Sequence, residues 1–510
     1  MKRKYIATWF LGIVLTGCTK DFLTVVPETA LSLTTFFKTE SDFQQAVNGA
    51  YVPLRASFNE RAWVLEEMHS DNTYYARNTL YGAVDATENV ADFAVPTAAG
   101  DGGVKVTAND NVLNQYRYDY LIVSRANQIL SLIDGTGITF SSDATKNNIK
   151  GQAQFLRAFA YFDLVRLFGR VPLHLVPVTG REDAALPLST TDEIYAQIEK
   201  DALAASTNLL NKATQEQGRA TSGAAKTLLA NLYITQKKWA QAEALMKDVV
   251  AKDGYTLMPD YNDAFSYTNT NKNNQESVFE VQYMEGSAGY NGNQIYRFLP
   301  SPITADEIKP IVGTSNPQAT SQESNNIPTP DLIAAYESND KRKNISIGTV
   351  TLSTSLRAIK EYPYIKKYAR THSLNQNTGQ NWPVYRYAEV LLFLAESLNE
   401  QGKSAEAATY LNQVRVRAGL ASTTASSQTD MREVIFKERR VELAFENKRW
   451  FDLTRTGRVK EIIGAYGARV KANPAAYYFP AGAVPPPNAF TVLDDYYGLP
   501  AVESALTPYF

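Results

Sequence analysis

Apolar residues recur at spacings of three and four along much of this chain, and two long polar stretches interrupt them. The first periodic run opens at Ser41, which is placed to cap a helix carrying Phe43, Ala46, Val47, Ala50 and Tyr51 on one side, with Pro53 limiting its continuation. Helix returns at Val112. From Gly151 to Phe168 nearly every face is apolar (Phe155, Leu156, Phe159, Phe162, Leu164, Val165 and Leu167 among others), which predicts a helix buried on several sides. Asp163 stands three residues before Arg166, close enough to pair, and Gly169 and Pro172 end the run. Between Ser70 and Asn111 the composition shifts to Thr, Asn, Gly, Ala and Asp with interspersed tyrosines. Loops of that length in a compact protein are usually functional.

Two of the helical zones resemble one another. Leu229-Ala230 through Ala242 aligns with Leu394-Ala395 through Ala407 at a constant offset of 165 residues, with matches at Gln236/Gln401, Lys238/Lys403 and Ala240/Ala405. Small residues at Ala230 and Ala242, and again at Ala395 and Ala407, have the spacing of a tetratricopeptide hairpin, where they let two helix backbones approach closely. Two copies cannot bury a solenoid core alone, so diverged hairpins are expected at about 41–65 and 112–168, beside the clear ones at about 222–253 and 386–453. Between the clear copies, Ser277 to Tyr283 alternates like a strand, within flanks rich in Asn, Gly, Ser and Pro. The fold class is therefore mostly α: tetratricopeptide-like hairpins forming a scaffold, with an irregular loop-rich lobe (about 70–111 and 260–385) and minor short strands. A charged helix closes the pattern from Asp430, its expected cap, to about Arg449. Val434, Val441 and Phe445 form its apolar stripe, and its charges read as a network tying helices together, with Arg449 three residues before Asp452.

The amino terminus adds a different kind of information. Lys2, Arg3 and Lys4 precede an apolar run from Tyr5 to Leu15, too short to span a bilayer, and Leu15-Thr16-Gly17 leads into Cys18, the single cysteine. That is the pattern cut and acylated in bacterial lipoproteins. It divides the chain into a signal peptide (1–17), a tether and lead-in (18–36) and one body (37–510). Acylation at Cys18 anchors the body to a membrane, each buried methylene contributing about 0.8 kcal/mol, and leaves no thiol for a disulfide. With 51 basic and 53 acidic residues, no electrostatic case for nucleic acid exists. The 30 tyrosines suit polar ligands with apolar faces.

Catalytic and cofactor motifs are missing from the sequence. The adjacent pairs Glu66-Glu67 and Asp494-Asp495 do not face one another across a substrate as a glycoside hydrolase requires. His69, His174 and His372 are scattered, and there is no metal-binding His-Glu-x-x-His, no nucleophile elbow and no phosphate-cradling glycine loop. Asp260-Tyr261-Asn262-Asp263 lacks the rest of a calcium loop and reads as a turn.

Ordered motifs along most of the chain resemble the SusD/RagB family of outer-membrane nutrient-binding lipoproteins. They include Cys18-Thr19-Lys20-Asp21-Phe22-Leu23, Arg125-Ala126-Asn127, Leu156-Arg157-Ala158-Phe159-Ala160-Tyr161-Phe162 and Arg386-Tyr387-Ala388-Glu389. Asn412-Gln413-Val414-Arg415-Val416-Arg417-Ala418-Gly419-Leu420 and Glu438 to Glu446 through Arg449-Trp450-Phe451-Asp452-Leu453 extend the match. The last thirty residues depart from the family pattern at Phe479-Pro480 and Pro485-Pro486-Pro487-Asn488. The resemblance implies a lid on a SusC-type TonB-dependent transporter, facing the cell exterior, that holds an oligosaccharide or a peptide in its variable loops. No enzyme activity, cofactor or metal is expected. The family does not fix ligand residues by motif, so the candidates are those its loops place: Asp71, Asn72, Tyr74, Tyr75, Arg77 and Tyr81 in the first, Tyr283, Tyr290 and Tyr296 in the second, and Trp382. The alternatives are a tetratricopeptide scaffold of the envelope and a glycoside hydrolase.

Overall fold

The computed structural model describes residues 36–510 except 78–84, 100–102, 136, 266–270, 315, 320–323, 354–359, 508 and 510. Cys18, the tether and Tyr81 lie outside the described residues. Helix α1 (Glu40–Glu60) is capped by Thr39, whose hydroxyl and Asp42 close a capping box, and not by Ser41. Pro53 sits inside this helix and does not end it. A proline cannot donate to the carbonyl four residues earlier, and here the Arg125 guanidinium donates to that Gly49 carbonyl instead. Helices α2 (Asp110–Leu132) and α3 (Asp143–Phe168) pack with α1, and the apolar circumference of α3 is buried as its sequence predicts. Gly169 caps α3 at φ 71°, and Asp163 pairs with Arg166 at 3.2 Å. Beyond it lies α4 (Thr191–Asn208), a helix outside the expected hairpins, packed along α3.

The internal repeat appears in the structure with the same offset. Helices α5 (Ser222–Thr235) and α6 (Trp239–Lys252) form one hairpin, α7 (Tyr387–Glu400) and α8 (Ser404–Arg417) the other, and all four boundaries differ by 165 residues. Ala230, Ala242, Ala395 and Ala407 are fully buried at the crossings. The copies also stack, since Glu243 of α6 accepts from Gln401 and Lys403 of the second hairpin, each at 2.7 Å. The turn position is left-handed in both, filled by Lys237 (φ 58°) in one and Gly402 (φ 76°) in the other. A side chain there costs about 1–2 kcal/mol that glycine avoids, less the entropy glycine loses on folding. Lys237→Gly should therefore raise stability by about 0.5–1 kcal/mol, read as a higher urea midpoint; a lower midpoint would contradict this.

Strand β1 (Ser277–Val281) pairs antiparallel with β4 (Trp382–Arg386), and β2 (Ile347–Thr351) with β3 (Glu361–Ile365). Trp382 is thus a strand residue and not a loop one. A second, smaller hydrophobic cluster, with Ile295, Leu299, Ile308, Val312, Ile327 and Leu352, gives the loop-rich lobe a core of its own.

The charged helix α9 (Gln428–Glu442) is capped by Ser427, not Asp430, and stops seven residues short of Arg449. The reason lies far away in sequence. Glu67 accepts from the amides of Phe445 (2.9 Å) and Asn447 (3.0 Å), and both residues adopt left-handed backbone (φ 68° and 60°). After that bend come α10 (Arg449–Arg455) and α11 (Val459–Ala472). Among the described residues no helix is long and apolar enough to cross a membrane.

Candidate functional site

The charges in the carboxyl-terminal half of α9 (Glu438, Arg439, Arg440 and Glu442) point inward and make the frame on which the loops rest, whereas Asp430, Arg432, Glu433 and Lys437 are exposed. Glu442, fully buried, meets Arg342 at 2.9 Å, Arg386 at 3.0 Å and Arg417 at 2.5 Å. Burial alone would raise its carboxyl, but Arg417, Arg386 and Arg342 outweigh it and hold the group at about 2. Arg386 also reaches Glu276 and Glu446, and Lys367 pairs with Glu446 at 2.8 Å. Burial still lowers the Lys367 amine to about 8. Arg449 does not take Asp452 as its spacing suggested: Asp452 is held by Arg439 and Arg455, and Arg449 turns to Asp71.

That last contact corrects the first group of candidate ligand residues. Asp71 is buried against Arg449 (2.8 Å) and Arg440 (2.9 Å); burial would raise its carboxyl, yet the two guanidiniums keep it well below the usual carboxylate range. Asn72 is buried too, donating to Glu67 at 3.0 Å and accepting from Arg440 at 2.9 Å. Tyr74 and Tyr75 stack on one another at 4.4 Å in the core, and both hydroxyls donate to Asp92, which burial raises to about 6. Tyr283 donates to the Arg55 carbonyl (2.8 Å), Tyr296 bonds His372 (2.7 Å), and Trp382 stacks on Tyr368 at 4.8 Å; all three are buried. These seven side chains hold the lobe to the frame and present no face to a ligand in this conformation. Buried polar atoms need partners, and Asp71, Asn72, Tyr283 and Tyr296 each find one far away in sequence, whereas the Trp382 Nε1 atom has none among the described residues.

Arg77 and Tyr290 differ from that group. Arg77 is partly exposed and lies 3.9 Å from Glu88, whose carboxyl burial raises to about 7. Tyr290 is 45 % exposed, and the Arg55 guanidinium of α1 covers its ring at 4.5 Å. Its loop is braced from both sides: Gly286 and Asn377 exchange two hydrogen bonds (2.8 and 3.0 Å), and Gly292 bridges Thr378. Met284 and Leu374 are exposed beside these braces. Asn59 of α1 accepts from the Asn293 amide (2.9 Å), Asn293 from Arg297 (3.2 Å), the Arg297 carbonyl from Asn325 (3.2 Å), and Ser324 from Ala76 (2.8 Å). That series of hydrogen bonds links the Tyr290 loop, beside the carboxyl end of α1, through residues 297 and 324–325 to the residue before Arg77.

Comparison with known proteins agrees with this architecture. A family model described as "SusD family" matches residues 337–506, and one described as "Starch-binding associating with outer membrane" matches 21–234. The chain belongs to the SusD/RagB family. Among relatives of this SusD/RagB chain, a SusD-like protein P2 of Formosa agariphila is 29% identical, covering 93% of this chain and 94% of its own. A SusD homolog from Bacteroides thetaiotaomicron superposes with a TM-score of 0.74 at 22% identity, over 94% of this chain and 97% of that one. Surface glycan-binding protein A from the same species, solved in complex with laminarihexaose, gives 0.67 at 23% identity, over 84% and 93%. These structures share the fold.

One further cluster of this SusD/RagB chain was invisible in the sequence. Glu66 lies in a short π-helix (Val64–Met68) and shares the interior with Asp119 of α2 and Asp163 of α3. Gln115 donates to Asp119 (3.2 Å) and Asp163 (3.0 Å). Burial first, then repulsion from Asp163, raises Glu66 and Asp119 well above the ordinary carboxylate range. Arg166, sandwiched between the rings of Phe162 and Phe451, is the cation paired with Asp163. Among the described residues, no group of three His, Cys, Asp or Glu is arranged to hold a metal ion.

Proposed function

We propose that this chain is a surface-exposed outer-membrane lipoprotein, anchored through acylated Cys18, that binds an oligosaccharide and passes it to a SusC-type TonB-dependent transporter without hydrolysing it. The observation that carries the reading is the braced, exposed ring of Tyr290 beside Arg55. A sugar's axial C–H face is apolar and slightly positive and stacks on an aromatic ring, and its rim hydroxyls need amide or guanidinium partners. Arg55, Asn59 and Asn291 supply such groups around Tyr290. The glycan complex of a relative with the same fold supports the ligand class. One stacked face burying roughly 100 Å² contributes about 2.5 kcal/mol at 25 cal/mol per Å². With one or two more contacts, less ordering costs, the Kd falls between about millimolar and micromolar. The tether then serves to keep a weak binder close to its transporter at high effective concentration.

An array of polysaccharides and peptides probed with the mature chain tests the class. Binding to a restricted set of glycans, with the glycan recovered intact after long incubation, is expected. Binding to peptides alone, or release of shorter sugars, would contradict the proposal.

A further inference from the structure

A cavity of about 650 Å³ lies between α2, the segment 172–186 and the C-terminal residues 503–507. It shares no residue with the Tyr290 face. Its size falls within the range of small-molecule pockets, about 300–1,000 Å³. The walls are apolar: Tyr116, Tyr120 and Leu121 on α2 face Val176, Val178 and Leu506. Leu121, Val176, Val178 and Leu506 are 41, 66, 45 and 60% exposed, an unusual concentration of wet aliphatic side chains.

Several polar groups in and behind the walls are engaged with one another. Tyr120 donates to the Pro172 carbonyl (2.6 Å), Tyr161 to that of His174 (2.8 Å), and Arg157 to that of Leu175 (3.3 Å). Asn127 donates to the carbonyls of His174 (2.9 Å) and Val176 (3.3 Å). The His174 ring is kept neutral at pH 7 by burial, which lowers its pKa. The lining charges are Arg117 and Glu503, which pair through Arg117 Nε at 2.7 Å. A guanidinium has two edges that can each take a carboxylate. Among the described residues the Nη1 and Nη2 atoms of Arg117 make no hydrogen bond, and its side chain is 52% exposed.

We propose that this cavity binds a carboxylate-headed amphiphile, its alkyl body between α2 and the 172–186 segment and its carboxylate on the free edge of Arg117. The ligand class follows from the unbonded guanidinium edge of Arg117 at the mouth and the apolar walls behind it. Dodecanoate is the probe, titrated calorimetrically into the full mature chain. Saturable one-site binding in the micromolar range is expected, with dodecanol about tenfold weaker, the value of one charge-assisted contact.

Ser124→Trp, on the α2 wall, should fill the cavity and weaken dodecanoate by at least about tenfold. Arg117→Gln, on an exposed side chain, should weaken dodecanoate about tenfold and leave dodecanol unchanged; it decides the question if Ser124→Trp does not fold. Oligosaccharide binding should be unchanged in Arg117→Gln, so this inference and the Tyr290 reading fail separately. Absence of dodecanoate binding overturns the proposal, as does equal binding by a folded Ser124→Trp variant. A wild-type dimer that Ser124→Trp converts to monomer, without dodecanoate binding, overturns it in favour of a second copy of the chain.

Discussion

Exchange of Glu442 for Gln is expected to destabilise the chain by about 3–5 kcal/mol at pH 7. The side chain is isosteric, so the cost comes from charge and not from a cavity. Glu442 is the meeting point of Arg342, Arg386 and Arg417, all nearly or fully buried. With a neutral amide in its place, the three guanidiniums repel one another with less compensation, and desolvating a buried cation without its partner is expensive. The effect has a pH signature. The folded Glu442 carboxyl lies at about 2 against an ordinary 4.5, so its contribution is fully present above 4.5 and is lost as the pH falls through the folded value. The amide of the Glu442→Gln variant has no such titration, and the gap between wild type and variant should close in acid. Urea unfolding at pH 7 and in the acid range measures both; a difference below about 1 kcal/mol at pH 7 would contradict the role assigned to the network.

Asp119→Asn is expected to act in the opposite direction. Burial and the neighbouring Asp163 raise the Asp119 carboxyl well above its ordinary 3.8, so the folded chain holds a proton that the unfolded chain has released. Such a group stabilises below the unfolded value, and that stability is lost as the pH rises through the folded one, at up to about 1.4 kcal/mol per pH unit for each proton. An asparagine accepts from Gln115 through its carbonyl and donates to Asp163 through its amide, without a charge to bury. The variant should therefore match wild type near pH 4 and exceed it by about 1–3 kcal/mol at pH 8. Identical pH profiles would show that Asp119 does not carry the proton.

What was legible in the sequence was local. The repeat offset located both hairpins, because small residues at a helix crossing repeat with the geometry that needs them. The apolar circumference of α3 announced its burial. The same local rules apply to α4, which stood outside the expected elements: Thr190 and Glu193 close a capping box, and Ile194, Ile198 and Ala202 recur every four residues. The cap corrections, Thr39 for Ser41 and Ser427 for Asp430, are shifts of two or three residues, and the larger corrections are long-range. Arg342 and Glu442 are 100 residues apart, and the Glu67 contact that stops α9 spans 378. Trp382 reads as a loop aromatic until β1, a hundred residues earlier, supplies its strand partner. Tyrosines in a polar stretch look available for a ligand, yet Tyr74, Tyr75, Tyr283 and Tyr296 are anchors. Each found a buried partner that no local pattern encodes, and Tyr290 is left as the candidate tyrosine with an exposed ring among the described residues.

Calorimetry of Tyr290→Ala beside wild type, using the glycan selected by the array, tests most directly whether that ring is the binding platform. Loss of one stacked face predicts affinity weakened about tenfold or more, with the thermal midpoint unchanged because the ring is half-exposed and buries little. Unchanged affinity in a folded variant would contradict the assignment of the site.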